Sequence, residues 1–406
     1  MRDIAEKDCI IIGSGFCGSV IARKLAEQRK KILLLERRKH IAGNMYDEVD
    51  ANGILVQRYG PHSFHTNNHN VFEFITKYGK WVDYSLKCAV DMDGVESPSP
   101  FNFETIDLLY DKAEAEVLKS RLETYYLAQK TVTILELLGC DDGLIKSYAK
   151  KLFEMDYRPY TAKQWGIQPE EIDPSVLKRV PVRLDYTNAY FDDTYQCLPK
   201  NGYTHFFENL LDHEKIQVVL ETDALDLLKV DADKEQVFFE DEQTNIPVIY
   251  TGAIDELFGY KYGRLPYRSL RFDYQTKKVD AFQSAPVVAY PKAEGYTRIT
   301  EYKKLPPQDV PGVTTVAYEY PIQAASFGEE STTSQAAGYV PLRRQSDVEP
   351  YYPILTDDNI KAYEQYKHDA KKIPNLFLCG RLADYKYYNM DAAIMRAFEV
   401  YGILVR

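Results

Sequence analysis

The apolar residues of the chain change their spacing from one region to the next, and each spacing predicts a kind of element. Cys9–Ile12 is a wholly apolar tetrapeptide, and Gly13-Ser14-Gly15-Phe16-Cys17-Gly18 follows at once. Residues 19–28 place Val20, Ile21 and Leu25 on one helical face, and Ile32–Leu35 is a second apolar run that ends in Glu36. That order predicts strand, helix and strand within about 30 residues. Residues 104–118 and 132–138 carry longer helical spacing, with Gly139 as a stop signal. From Val180 onward short β-branched and aromatic runs prevail, at 216–220, 236–239, 248–251, 270–274, 287–290 and 314–320. These predict antiparallel sheet, a few strands returning to the first unit. Residues 321–350 read as an irregular or mobile loop. At the C-terminus 375–381 predicts a buried strand ending in glycine, and 391–401 a helix capped by Asp391. No internal repeat is present.

Composition narrows the function. The 406 residues carry a formal net charge of −11, so the chain has no general attraction for nucleic acid or anionic lipid. An anionic substrate would have to be met by locally concentrated Arg or Lys. No run approaches the roughly 18 apolar residues of a membrane span, and the first apolar stretch is too short for a signal-peptide core. Six scattered cysteines without a Cys-x-x-Cys pair argue against a disulfide framework or a metal site, and a reducing cytoplasm is the expected compartment. The chain has 33 Tyr against 18 Phe, a surplus suited to half-wet surfaces such as a cleft for a polar ligand, or simply a compositional bias.

The glycine run carries the first chemistry. Glycines let the backbone turn tightly and approach a pyrophosphate, and they let helix pack close to strand, while the helix N-terminus faces the phosphates. Glu36, at the end of the second strand, stands where a Rossmann unit places the acid that accepts ribose hydroxyls. Gly13, Gly15, Phe16, Gly18 and Glu36 are therefore cofactor-binding candidates. The basic cluster Arg37-Arg38-Lys39 followed by Gly43-Asn44 resembles the extended fingerprint of FAD proteins of the glutathione reductase type, which adds Arg37, Gly43 and Asn44. In chains of that type the C-terminal helix N-terminus lies against the flavin pyrimidine, where its partial positive charge favours an anionic, reduced flavin. The expected fold is α/β: a Rossmann-like FAD-binding domain (1–85, 199–260 and 371–406), an inserted helical-bundle domain (103–156), and an antiparallel β-sheet substrate domain (86–102, 157–198 and 261–370).

Ten ordered blocks span nearly the whole chain: YGPHSFHT at 59–66, PFN at 100–102, YTAKQWG at 160–166, KRVPVR at 178–183, YFD at 190–192, PKNGYT at 199–204, LPYRSLR at 265–271, YTRITE at 296–301, PYYPI at 350–354 and GRL at 380–382. With them the chain resembles the UDP-galactopyranose mutase family, flavoenzymes that interconvert UDP-galactopyranose and UDP-galactofuranose. The resemblance implies a redox-neutral isomerase acting through an N5-sugar adduct of reduced FAD, with no side-chain nucleophile. It implies that Arg179 and Arg298 hold the substrate diphosphate, Arg179 from a mobile loop, and that Arg268 lies near flavin and sugar. Trp165 matches the tryptophan of that loop. Tyr160 and Tyr190 match aromatics around the uridine, and Tyr352 and Tyr387 tyrosines whose hydroxyls bind the diphosphate. His62 lies beside the flavin as a candidate proton relay, and Arg381 and Met390 complete the cofactor set. A UDP-sugar substrate, an external reductant such as NAD(P)H without a fingerprint of its own, a homodimer and a role in cell-surface polysaccharide synthesis are likewise implied.

Some positions depart from the family pattern: Ser14 and Cys17 replace alanines, Ala42 and Met45 stand near the flavin, Asn389 replaces a frequent Asp, Cys197 interrupts a Tyr-Gln-Gly, and Asp156 stands where an aromatic beside the uracil is expected. They leave open the same chemistry on UDP-N-acetylgalactosamine, UDP-arabinopyranose or dTDP-fucopyranose. An amine-oxidase-like flavin oxidoreductase is a more distant alternative, and so is an inactive FAD-binding scaffold.

Overall fold

The computed structural model describes residues 4, 6–165, 180–322 and 349–405. The predicted β1 (Cys9–Ile12), α1 (Phe16–Glu27) and β2 (Ile32–Leu35) form, α1 starting three residues earlier than the apolar spacing indicated. They build a five-stranded parallel sheet in the order Ile216–Val219, β2, β1, Val248–Tyr250, Leu376–Leu378. A sheet covered on both faces needs apolar residues at successive positions, and both β1 and β2 are buried throughout. Alternate side chains feed two cores. Ile11 and Leu34 join Val20, Ile21 and Leu25 of α1 and Ile394, Ala397 and Val400 of the C-terminal helix. Ile10, Leu33 and Val248 pack on the other face against Phe239, Tyr363 and Tyr366. The Rossmann expectation is thus met by a sheet whose last two strands come from far along the chain.

A second sheet has seven strands, in the order Tyr352–Pro353, Tyr267–Lys277, Thr314–Ile322, Arg298–Glu301, Val287–Ala289, Cys88–Met92, Val95–Ser99. Its pairings are antiparallel except one: Val287–Ala289 runs parallel to Cys88–Met92. Helices between Phe103 and Leu152 pack into a third core, with Leu118, Leu122, Ile134, Ile145 and Tyr148 at its centre.

Further helix boundaries differ from the sequence reading. The expected helix at 104–118 is two helices, Phe103–Leu109 and Lys112–Tyr125, because Tyr110 is extended and the Asp111 carboxylate accepts from the Ala113 and Glu114 N–H groups to start a new turn. At the C-terminus the helix runs Met390–Leu404 and its N-cap is Asn389, not Asp391; the Asp391 carboxylate lies inside the first turn and accepts from Thr66 Oγ1 at 3.0 Å. Much of the expected 321–350 loop lies outside the described residues.

Candidate active site

Two cavities adjoin where the sheets meet. The smaller, about 250 Å³, is walled by the glycine run, Glu36, Arg37, Gly43 and Asn44. The larger, about 540 Å³, is walled by the arginine and tyrosine candidates of the second sheet. His62, Arg381, Asn389 and Met390 line both. A ligand in one cavity would therefore meet a ligand in the other at these four residues.

The smaller cavity has the anatomy of a dinucleotide cradle. Gly13 sits at φ +98°, a conformation that side chains disfavour, and a Cβ there would come 2.1 Å from Thr251 Oγ1. Gly15 lines the cavity and a Cβ would meet no atom within 4 Å, so a side chain would enter the space left for a ligand. Gly18 was expected to touch the cofactor. It does not line the cavity; it faces β1, where a Cβ would come 2.0 Å from Gly13 O, so its role is to let helix and strand close together.

Glu36 is held ready at the cavity wall. Its Oε2 accepts from both Ser14 N–H (2.9 Å) and Ser14 Oγ (2.6 Å), and its Oε1 accepts from Arg38 N–H. The serine that replaces the commoner alanine thus orients the acid. Arg37 donates to Glu349 at 3.0 Å, and Arg38 donates to Glu349 and to Asn44. Two buried polar atoms on the walls of the smaller cavity, Arg38 Nη1 and His62 Nδ1, have no hydrogen-bond partner among the described residues. Asn389 caps the C-terminal helix without a side-chain hydrogen bond, which leaves first-turn N–H groups for an acceptor at this junction. Orphaned donors, an open glycine and a ready acid suit a phosphate-linked dinucleotide.

In the larger cavity the register of the second sheet assembles the cations. Arg298 and Glu319 are direct partners on adjacent strands, so their side chains share a face, and Arg298 Nε donates to Glu319 Oε2 at 2.7 Å. Glu319 is 2% exposed and fixes the plane of the guanidinium. Arg268 pairs in register with Tyr352 on the neighbouring strand, its guanidinium 5.8 Å from the Tyr352 ring. Arg381 reaches the same ring at 5.0 Å and Tyr387 at 5.2 Å, and those two rings stack with centroids 5.7 Å apart. Tyr160 and Tyr190 complete the wall.

Sequence reasoning missed Glu319. Its signal was an acid in a β-run, and only the pairing register gives it meaning. Trp165 ends the helix Arg158–Trp165. Arg179 lies outside the described residues.

Electrostatics sharpen two roles. Burial, with Arg381 and Arg298 adding to it against the Gly60 carbonyl, pulls the His62 imidazole down to about 3. His62 is therefore neutral across the physiological range. Burial pushes the Tyr160 phenol far above its ordinary value, so it remains a neutral hydroxyl. Among the described residues, no group of three or more His, Cys, Asp or Glu could hold a metal ion, and no helix is long and apolar enough to cross a membrane.

Known proteins match along the whole chain. The family model described as UDP-galactopyranose mutase matches residues 151–387, and one described as an NAD(P)-binding Rossmann-like domain matches residues 11–78. A UDP-galactopyranose mutase of Mycoplasma pneumoniae is 35% identical over 96% of this chain and 94% of its own length. A dTDP-fucopyranose mutase of Escherichia coli is 35% identical over 98% of both chains. A crystal structure of reduced UDP-galactopyranose mutase superposes with a TM-score of 0.70 at 17% identity, covering 98% of this chain and 94% of that one.

Proposed function

The chain belongs to the UDP-galactopyranose mutase family, and on that premise we propose that it is an isomerase of UDP-galactopyranose and UDP-galactofuranose that works with reduced FAD in the smaller cavity and the sugar nucleotide in the larger. The observation that carries this reading is the junction at His62, Arg381, Asn389 and Met390, where the dinucleotide cradle opens onto a wall of arginines and tyrosines. Reduced flavin, when bound, supplies the electron pair that displaces UDP from the anomeric carbon.

The protein's own residues do the rest. Arg298, fixed by Glu319, and Arg268 and Arg381, set against Tyr352, supply guanidinium groups that clamp a diphosphate by paired hydrogen bonds. The Tyr352 and Tyr387 hydroxyls add hydrogen-bond donors. Because the net reaction returns UDP to the sugar, the clamp must retain the leaving diphosphate as well as bind it. Arg179 would add to it from 166–179. Neutral His62 would exchange a hydrogen bond with a sugar hydroxyl and help orient it without carrying a charge of its own. Glu36, oriented by Ser14, would hold the adenosine ribose, with Arg37, Gly43 and Asn44 around it. A soluble reductant such as NAD(P)H, a homodimer and a cytoplasmic site of action complete the proposal.

The test is incubation of dithionite-reduced protein with UDP-galactofuranose, with products separated by chromatography. Conversion to the pyranose isomer only under reducing conditions is the expected result; steady oxygen consumption without isomerisation would sink the reading. A second reading, the same chemistry on dTDP-fucopyranose, draws support from the equally similar dTDP-fucopyranose mutase. Stronger competition by dTDP than by UDP would move the assignment there.

A further inference from the structure

The loop 379–389 joins the last strand of the parallel sheet, Leu376–Leu378, to the helix Met390–Leu404, and it carries Arg381 and Tyr387 into the larger cavity. Its path is a costly one. Gly380 stands at φ +116° and Tyr385 at φ +44°, the latter in a left-handed conformation that a residue with a side chain enters against its preference. Such a conformation persists only where its surroundings over-determine it.

Asp384 supplies that constraint. Its backbone N–H donates to Gly380 O at 2.8 Å, and its Oδ2 accepts in return from Gly380 N–H at 3.0 Å. The same oxygen accepts from the Tyr388 hydroxyl at 3.2 Å and from Arg396 Nε at 3.0 Å, while Oδ1 accepts from Arg396 Nη2 at 3.2 Å. Arg396 stands in the second turn of the C-terminal helix and also donates to the Leu378 carbonyl at the end of the strand. A two-pronged ion pair therefore fastens the loop to both of the elements that it joins. Neither Asp384 nor Arg396 lines either of the two cavities.

Arg381 depends on this carboxylate at both of its ends. Its backbone follows Gly380, whose N–H is held by Asp384. Its guanidinium donates to the carbonyl of Tyr388, whose hydroxyl is held by Asp384 as well, and to the Tyr351 carbonyl at 3.2 Å. Resting on the mutase reading, we propose that Asp384, gripped by Arg396, is the positioning residue that aims Arg381 at the junction of the two cavities, so that affinity for the substrate diphosphate depends on a carboxylate that meets neither ligand. A guanidinium already confined to one orientation can present paired hydrogen bonds without losing further rotamer freedom when the diphosphate arrives. Released from Asp384, the same side chain would have to be ordered at the expense of binding.

The test is a double-mutant cycle on the protein with FAD in excess, read as the dissociation constant of UDP. Asp384→Ala should weaken UDP binding about tenfold. Joined to Arg381→Ala it should add less than about twofold, because the side chain that it aims is gone. Joined to Arg298→Ala, whose guanidinium is held by Glu319 instead, it should cost about tenfold again. Asp384→Asn keeps an oxygen for Gly380, Tyr388 and Arg396 Nε, so it should weaken UDP binding only about threefold, and it carries the cycle if the alanine variant does not fold. UDP binding as tight as that of wild type in Asp384→Ala, or in Asp384→Asn where that variant carries the cycle, overturns the proposal. So does a loss that persists undiminished in the Arg381→Ala background, the mark of a merely structural role. Isomerisation of UDP-galactofuranose measured in parallel keeps the two readings apart: isomerisation without coupling between Asp384 and Arg381 removes only this proposal, and coupling without isomerisation removes only the mutase reading.

Discussion

At the scale of single residues, charge and burial set what each group can do. Glu319 is almost wholly enclosed, and among the described residues its carboxylate pairs with Arg298. Truncating one member of a buried pair leaves the other uncompensated, at a cost of about 3–5 kcal/mol. Glu319→Ala should therefore lower the melting temperature and raise KM for the sugar nucleotide about tenfold or more; a melt with and without UDP, beside steady-state kinetics, reads both. His62 gives a second prediction. Its folded value near 3 lies below that of a free imidazole, so it is uncharged at every pH above about 4 and contributes no titration between 5 and 7. The kcat/KM profile should accordingly lack an acid limb near 6.5, and His62→Asn should lower kcat without changing the shape of that limb. A limb near 6.5 that disappears in His62→Asn would show a charged histidine instead. Tyrosine, Arg298 and His62 were legible as residue types. That Arg298 is aimed by Glu319, and that Ser14 aims Glu36, was not, because both depend on partners 21 and 22 positions away.

At the scale of elements, Lys163 ties two pieces of the cavity wall together. From the helix Arg158–Trp165 its Nζ donates to the carbonyls of Tyr290 (2.6 Å), Ala293 (2.7 Å) and Tyr296 (2.8 Å). That turn leads directly into the strand carrying Arg298. The helix bearing Tyr160 and the strand bearing Arg298 are thereby kept in register. Lys163→Met leaves three carbonyls without this donor, and each lost hydrogen bond to a charged group is worth about 1.5–3 kcal/mol. The expected outcome is a KM raised about tenfold with kcat and flavin content much less affected, partly restored by Lys163→Arg. Kinetics beside the flavin absorbance check it. Apolar periodicity predicted β1, α1 and β2 because a doubly covered strand and an amphipathic helix write their burial into local spacing. It missed the break at Tyr110 and the true start of the last helix, which backbone and cap geometry decide over one or two residues.

Across the whole molecule, the site is a meeting of distant segments. His62 follows the first unit, Arg381 follows the last strand of the parallel sheet, and Met390 opens a helix that packs against α1. Arg381 lines both cavities, whereas Arg298 lines only the larger. Arg381→Ala should therefore weaken both flavin retention and UDP binding, while Arg298→Ala should lose isomerase activity and UDP affinity but keep its yellow spectrum. The ratio of flavin to protein absorbance, with UDP titrations, distinguishes them; an Arg298→Ala protein that loses flavin would show the two cavities to be one. The sequence by itself determined the Rossmann unit, the family and most of the residue types in the site, because glycine spacing, alternating burial and ordered blocks are local or colinear properties. The tertiary structure alone decided which strands complete the parallel sheet, that Gly18 packs against Gly13, and that Glu319 pairs with Arg298. Strand register and cavity shape arise from contacts between residues that the chain keeps far apart.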